Sequence, residues 1–170
     1  MITKNMKKRK IIFGILAIIW MTIIFSYSAR TGIESTEDSY DVGYMVGRVV
    51  VPAFETWTPD EQLSFAEAVD HPIRKTAHFL EYMLLGVLVT GACDDVRRKK
   101  CYRILVPWLI STLYAASDEI HQLYVPGRSG QFSDVLLDSA GVFAGVLISL
   151  VVVHIYNRRV RRKLLTTSHI

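Results

Sequence analysis

Long uncharged blocks alternate with short polar ones along this chain. Residues 11 to 29, between Lys10 and Arg30, carry no charge, and neither do residues 139 to 157, between Asp138 and Arg158. At 1.5 Å rise, each 19-residue run makes a helix about 28 Å long, enough to cross the hydrocarbon of a bilayer. Two further runs, about 76 to 93 and about 104 to 122, reach similar length only by admitting Glu81 in one and Asp118 and Glu119 in the other. The pattern predicts an all-α polytopic membrane protein. Its four-transmembrane-helix bundle has spans at about 11–29, 74–93, 103–122 and 133–156, within one domain over residues 1–170.

Between spans one and two the segment from about 30 to 73 is the only long connection, and its pattern is helical. Val42, Met45, Val46, Val49 and Val50 recur at helical spacing until Pro52 ends the series. Thr58-Pro59-Asp60-Glu61 reads as a capping box with proline at the first helical position, opening a short helix with Leu63, Ala66 and Val69. His71-Pro72 then restarts the chain for span two. The expectation is two short amphipathic helices lying on the outer membrane face or over the mouth of the bundle. Gly141 and Gly145 form a small-xxx-small pair that lets a neighbouring helix approach closely.

Composition agrees: 51% of the 170 residues are hydrophobic, too many for an ordinary soluble domain. Charge then sets orientation. Lys4, Lys7, Lys8, Arg9 and Lys10 precede span one, Arg97, Arg98, Lys99, Lys100 and Arg103 separate spans two and three, and Arg158, Arg159, Arg161, Arg162 and Lys163 follow span four. These are fifteen of the twenty basic residues, and four spans put them all on one side, which the positive-inside rule makes cytoplasmic together with both termini. A cleavable leader is the competing reading of the start, with an apolar core from Ile11 to Phe25 and Ser26-Tyr27-Ser28 as the cleavage site. Retaining the first span makes the three basic clusters agree. The net charge of +4 is thus a topology signal, and no basic stripe interleaved with aromatics points to nucleic acid. Cys93 and Cys101 flank the cytoplasmic loop and read as small apolar fillers, with no disulfide.

The chemistry lies in three polar motifs at the ends of apolar runs. An ionisable group at bilayer depth costs roughly 2.5 to 3.5 kcal/mol on insertion scales, so such groups face a partner or a wet site. On span two Arg74, His78, Glu81 and Tyr82 share one face, with Lys75 at its border. Span three ends with Asp118, Glu119 and Gln122, and span four follows Arg128 with Asp134 and Asp138 one turn apart. Alternating helix directions gather all of these in the outer half of the membrane. His78, Glu81, Asp118 and Glu119 are the candidate catalytic groups; Arg74, Lys75, Tyr82, Gln122, Arg128, Asp134 and Asp138 are the candidate binding groups. An HExxH-type spacing is missing, so neither a metal nor another cofactor is called for. A purely structural reading pairs Lys75 with Asp118 and Arg128 with Asp138 inside a polar core.

Lys75-x-x-His78-x-x-Glu81-Tyr82, then Asp118-Glu119-x-x-Gln122, then Pro126-x-Arg128, Asp134 and Gly141 follow one another over about residues 11 to 155 in an order that resembles the VanZ-like membrane proteins. The resemblance implies a bacterial cytoplasmic-membrane protein, in a family whose founding member is associated with lowered sensitivity to the glycopeptide teicoplanin. Two departures stand out: many relatives carry a Ser-Gln type motif after span one, where this chain has Ser26-Tyr27-Ser28-Ala29-Arg30, and many carry Asn at the position of Asp138.

Three functions compete. A non-catalytic envelope protein would engage a lipoglycopeptide antibiotic or the lipid-linked peptidoglycan precursor among the outer-leaflet lipids. A membrane-embedded enzyme would clamp an anionic head group with Arg74, Lys75 and Arg128, using His78 or Glu81 as general acid or base. A transporter fits least, because polar groups confined to one half make no through-path. Neither the ligand nor the oligomeric state follows from the sequence.

Overall fold

The computed structural model describes residues 2–93 and 99–167; Arg97 and Arg98 of the second basic cluster lie outside the described residues. Five α-helices follow one another: α1 (Ile2–Ser28), α2 (Gly32–Val50), α3 (Pro59–Cys93), α4 (Lys100–Gln122) and α5 (Phe132–Thr167), with a 3-10 turn at Phe54–Thr56 before α3. The all-α expectation is met. Three helices are long and apolar enough to cross a membrane: α1 from Lys7, α3, and α5 as far as Tyr156. The fourth expected span, α4, falls short of that apolarity because it spends Ser111, Thr112, Ser117, Asp118, Glu119 and Gln122 on polar groups.

α3 is the central element, in contact with each of the other four helices. Its Tyr82, Leu85 and Val89 meet Ala17 and Ile24 of α1, Ala115 of α4, and Val142 and Val146 of α5 in one buried cluster. The α3–α5 approach is set by glycine. A Cβ on Gly141 would come within 2.4 Å of the Phe79 carbonyl oxygen, and one on Gly145 within 2.0 Å of that of Met83. The small-xxx-small pair therefore packs inside the bundle. Side chains tie the other helices to backbone carbonyls: Trp20 Nε1 donates to the Glu81 oxygen at 2.9 Å, and the Tyr114 hydroxyl to that of Met21 at 2.6 Å. Opposite the core, Ile11, Ile15, Ile18 and Ile19 of α1 are exposed, an apolar surface suited to lipid.

The connection after α1 departs from expectation. The first helix of this segment forms, with a Thr31–Glu34 capping box in which Thr31 N donates to Glu34 Oε2 at 2.8 Å and Glu34 N to Thr31 Oγ1 at 3.3 Å. Those bonds hold the Glu34 carboxyl below its ordinary range. It packs on α3 through its small residues, not its valines: Ser39, Gly43 and Gly47 are buried, and a Cβ on Gly43 would lie 3.1 Å from the Ala66 Cα.

The second short helix is not a separate element. The Thr58–Glu61 box opens α3 as expected, but the helix runs without interruption from Pro59 to Cys93, through Pro72. Proline there removes one hydrogen bond and crowds the preceding turn. The helix is braced on both sides: the Ser39 hydroxyl donates to Asp70, and Arg74 Nη2 reaches the other oxygen of Asp70 at 3.1 Å across one turn. The restart expected at His71-Pro72 does not occur.

Candidate functional site

On the α3 face carrying positions 74, 78, 81 and 82, Tyr82 meets α4 and His78 meets α5. Tyr82, fully buried, donates its hydroxyl to Asp118 Oδ2 at 3.1 Å, and Gln122 Nε2 approaches the same oxygen at 3.4 Å. Asp118 is 3% exposed, and its Oδ1 is buried with no partner among the described residues. From α5, Asp138 sits behind His78, its Oδ1 3.7 Å from the ring Nδ1, beyond hydrogen-bond range. Neither atom has a hydrogen-bond partner among the described residues, and Asp138 is 1% exposed. One turn earlier, Lys75 pairs with Asp134. The pairings of a purely structural core, Lys75 with Asp118 and Arg128 with Asp138, are not the ones formed.

Arg128 has a different occupation. Its Nε donates to the Arg30 carbonyl and its Nη2 to that of Tyr27, both at 3.1 Å, while Nη1 reaches Gln122 Oε1 at 3.4 Å. The last turn of a helix leaves carbonyls without intrahelical donors, and this guanidinium satisfies two of them around the end of α1. The same junction is tightened by Gly32, whose N–H donates to the Pro126 carbonyl at 3.0 Å and whose absent Cβ would meet the Gly127 oxygen at 2.1 Å. Glu119 also serves the chain: Oε1 accepts the Gln131 N–H at 2.6 Å at the start of α5, leaving Oε2 buried and unpartnered among the described residues.

Glu81 is the exception among the carboxylates. Among the described residues its side chain has neither a hydrogen bond nor an ion pair. It lines a cavity of about 190 Å³ between the end of α1, the first half of α2, and α3, together with Asp118, His78, Arg74 and Arg128 on the polar side and Ile24, Val42, Ile73 and Ala77 on the apolar side. Asp38 of α2 and Arg30, which form an ion pair, also line it.

A model of the family VanZ/LLP1 matches residues 13–153, most of the chain and all three polar motifs. The chain belongs to the VanZ/LLP1 family. No curated protein and no solved structure matches it. Within this VanZ/LLP1 chain, the structure brings His78, Glu81, Asp118, Arg74 and Arg128 to one cavity. It withdraws Tyr82, Glu119 and Asp138 into supporting positions behind that wall, and it engages Lys75 and Asp134 with each other. Among the described residues, no three His, Cys, Asp or Glu side chains converge as a metal ion requires.

Sequence reasoning missed the contribution of α1 and α2. Tyr27, Ser28, Arg30, Ser35, Asp38 and Ser39 line the cavity, yet Tyr27 and Ser28 bring no charge to their apolar run and the others stand outside any such run. A signal was present in Ser39, Gly43 and Gly47, small residues spaced by four, which mark the packing face of α2 and so place Ser35, Asp38 and Val42 beside it.

Proposed function

We propose that this VanZ/LLP1 protein lies in the bacterial cytoplasmic membrane with four spans, α4 being the fourth, with both termini cytoplasmic and the cavity turned outward. It engages there the polar head group of an outer-leaflet amphiphile, either a lipid-linked peptidoglycan precursor or a lipoglycopeptide antibiotic, and so lowers sensitivity to glycopeptides. The basic residues before α1, around the α3–α4 connection and after α5 support the orientation. α4 is less apolar than its neighbours because its polar face turns inward to Tyr82, Gln131 and Ser139.

The observation that carries the reading is the cavity's two-sidedness. One wall offers an unpaired Glu81 carboxylate and a buried Asp118 with a free oxygen, and the other offers the aliphatic carbons of Ile24, Val42, Ile73 and Ala77. Most ligand sites set a few placed polar groups in an apolar cleft. An unpaired carboxylate at membrane depth is costly unless a ligand or water meets it.

A second reading, a membrane-embedded hydrolase or transferase acting on a lipid head group, draws on one further observation: a buried carboxylate, Asp138, lies 3.7 Å from Nδ1 of His78, a candidate general base in the cavity wall. Purified protein given candidate head-group lipids separates the two. Saturable binding without turnover supports the binding protein, and turnover lost in His78→Gln supports the enzyme. Absence of both binding and turnover, together with an unchanged glycopeptide susceptibility in cells carrying Glu81→Gln, overturns the proposal.

A further inference from the structure

Arg74, His78 and Arg128 line a second cavity as well as the first. It measures about 130 Å³ and is completed by His71 and Lys75 of α3, Gln122 of α4, Ser129 and Gln131 of the following turn, and Asp134 of α5. At about 30 Å³ for each water in the liquid, the space is roughly that of four waters. That is room for one compact tetrahedral group.

Its charge is as informative as its size. Three fixed cations line it against a single carboxylate, Asp134, which pairs with Lys75. Asp70 meets Arg74 from outside the lining. Arg128 is held by the neutral carbonyls of Tyr27 and Arg30 and forms no ion pair among the described residues, and its carboxylate neighbours Asp118, Glu119 and Glu81 stand outside this lining. The His71 ring likewise makes no hydrogen bond among the described residues. Amide and hydroxyl groups of Gln122, Gln131 and Ser129 complete the lining. Guanidinium and ammonium donors around a small space match the lone pairs of a phosphate-type oxyanion, and the charge-assisted bonds so formed are about twice as strong as neutral ones.

We propose that this second cavity is a pocket for a phosphate-type oxyanion, divided from the carboxylate-bearing cavity by Arg74, His78 and Arg128. The inference deepens the reading above and rests on it in assigning that anion to the head group of a membrane amphiphile. A phosphate held here would leave the adjoining part of the head group to cross toward Glu81 and Asp118, where hydroxyl or ammonium donors are in demand. The ligand class is thus a phosphate ester with hydrogen-bond donors close to the phosphorus, and its apolar chain lies along Ile24, Val42 and Ile73.

The test titrates the full chain, in uncharged maltoside micelles, with a short-chain phosphatidylglycerol, with the matching uncharged monoacylglycerol, and with inorganic phosphate. Tight binding of phosphatidylglycerol, at least about tenfold tighter than monoacylglycerol, is expected, since a charge-assisted hydrogen bond exceeds the 1.4 kcal/mol that a factor of ten requires. The paired variant Lys75→Gln/Asp134→Asn, which leaves no charge stranded, should weaken it about tenfold, and His71→Ala about threefold, while Glu37→Gln, exposed on α2 and away from both cavities, leaves it unchanged. Competition by inorganic phosphate at higher concentration supports the lipid as the source; inorganic phosphate binding as tightly as the lipid overturns the assignment to a head group. Equal affinity for monoacylglycerol, or an unchanged affinity in both variants, overturns the pocket. Phosphate-dependent binding with no effect of Glu81→Gln on glycopeptide susceptibility would sink the resistance reading and leave the pocket standing.

Discussion

Tyr82 donates its hydroxyl to Asp118 Oδ2 at 3.1 Å across the α3–α4 interface, and the other oxygen of that carboxylate is left buried without a partner. The pair joins scaffold and site: one oxygen holds two helices together, and the other belongs to the residue that walls the cavity. Tyr82→Phe should therefore lower stability by about 1 kcal/mol, since Asp118 Oδ2 keeps only the longer bond from Gln122, read as a lower melting temperature in detergent. Glu81→Gln, whose side chain holds nothing, should leave melting within about 0.5 kcal/mol while removing the glycopeptide phenotype. A parallel loss of stability and phenotype in Glu81→Gln would make the cluster an ion-paired support and nothing more.

Arg128 offers a second separation. Because its guanidinium serves two carbonyls at the end of α1, Arg128→Ala should cost about 1–3 kcal/mol and loosen the junction between Gly32 and Gly127. Arg128→Lys keeps the charge but cannot fork to two acceptors. It should recover oxyanion affinity better than it recovers the melting temperature. Equal recovery of both would assign Arg128 to one role alone.

Asp138 is a positioning residue if His78 acts on a substrate. Asp138→Asn keeps the shape and removes the charge 3.7 Å from the ring. For a binding protein, affinity for an anionic head group should then fall only a fewfold, as expected for one weakened electrostatic contact. For an enzyme, turnover should fall by more than about a hundredfold with an altered pH profile. A hundredfold loss of binding with no change in any pH profile would remove His78–Asp138 from both mechanisms.

Much of this was legible because helical spacing is rigid. Positions 74, 78, 81 and 82 share a face wherever α3 goes, and an unpaired Glu81 or Asp118 in an apolar run demands convergence. Which cation meets which carboxylate was not legible, since Lys75 and Arg128 each have several acceptors within reach and one residue of axial offset, about 1.5 Å, decides among them. Pro72 misled for a related reason. Local propensity ends a helix there, but the contacts that brace it, Ser39 with Asp70 and Gly43 on Ala66, come from α2, some thirty residues earlier in the chain, and cannot be read from the local window. α4 illustrates the opposite case: Asp118, Glu119 and Gln122 reduce its apolarity below that of a self-evident span, and all three are buried inside the bundle.

Orientation is tested by reporters. An enzyme tag that is active only in the cytoplasm should be active when fused after Lys163 or between Lys99 and Lys100, and silent near Asp60. Activity near Asp60 would place the cavity on the cytoplasmic side and end the outer-leaflet reading, whatever the fate of the oxyanion pocket.

The exposed face of α2 carries the last prediction. Ser35, Asp38 and Val42 line the cavity, and the same face continues at helical spacing through Met45, 64% exposed, and Val49, 85% exposed. Two large apolar side chains in water forfeit about 1.5–3 kcal/mol each, so a helix that packs through Ser39, Gly43 and Gly47 has its valine face free for the interface of the bilayer. A polarity-sensitive fluorophore at Val49→Cys should report an apolar setting in vesicles, quenched by bromine on the acyl chains near the surface, whereas one at Glu37→Cys should report water. Water at both positions would lift α2 off the membrane and leave Val42 without an apolar path leading from the cavity.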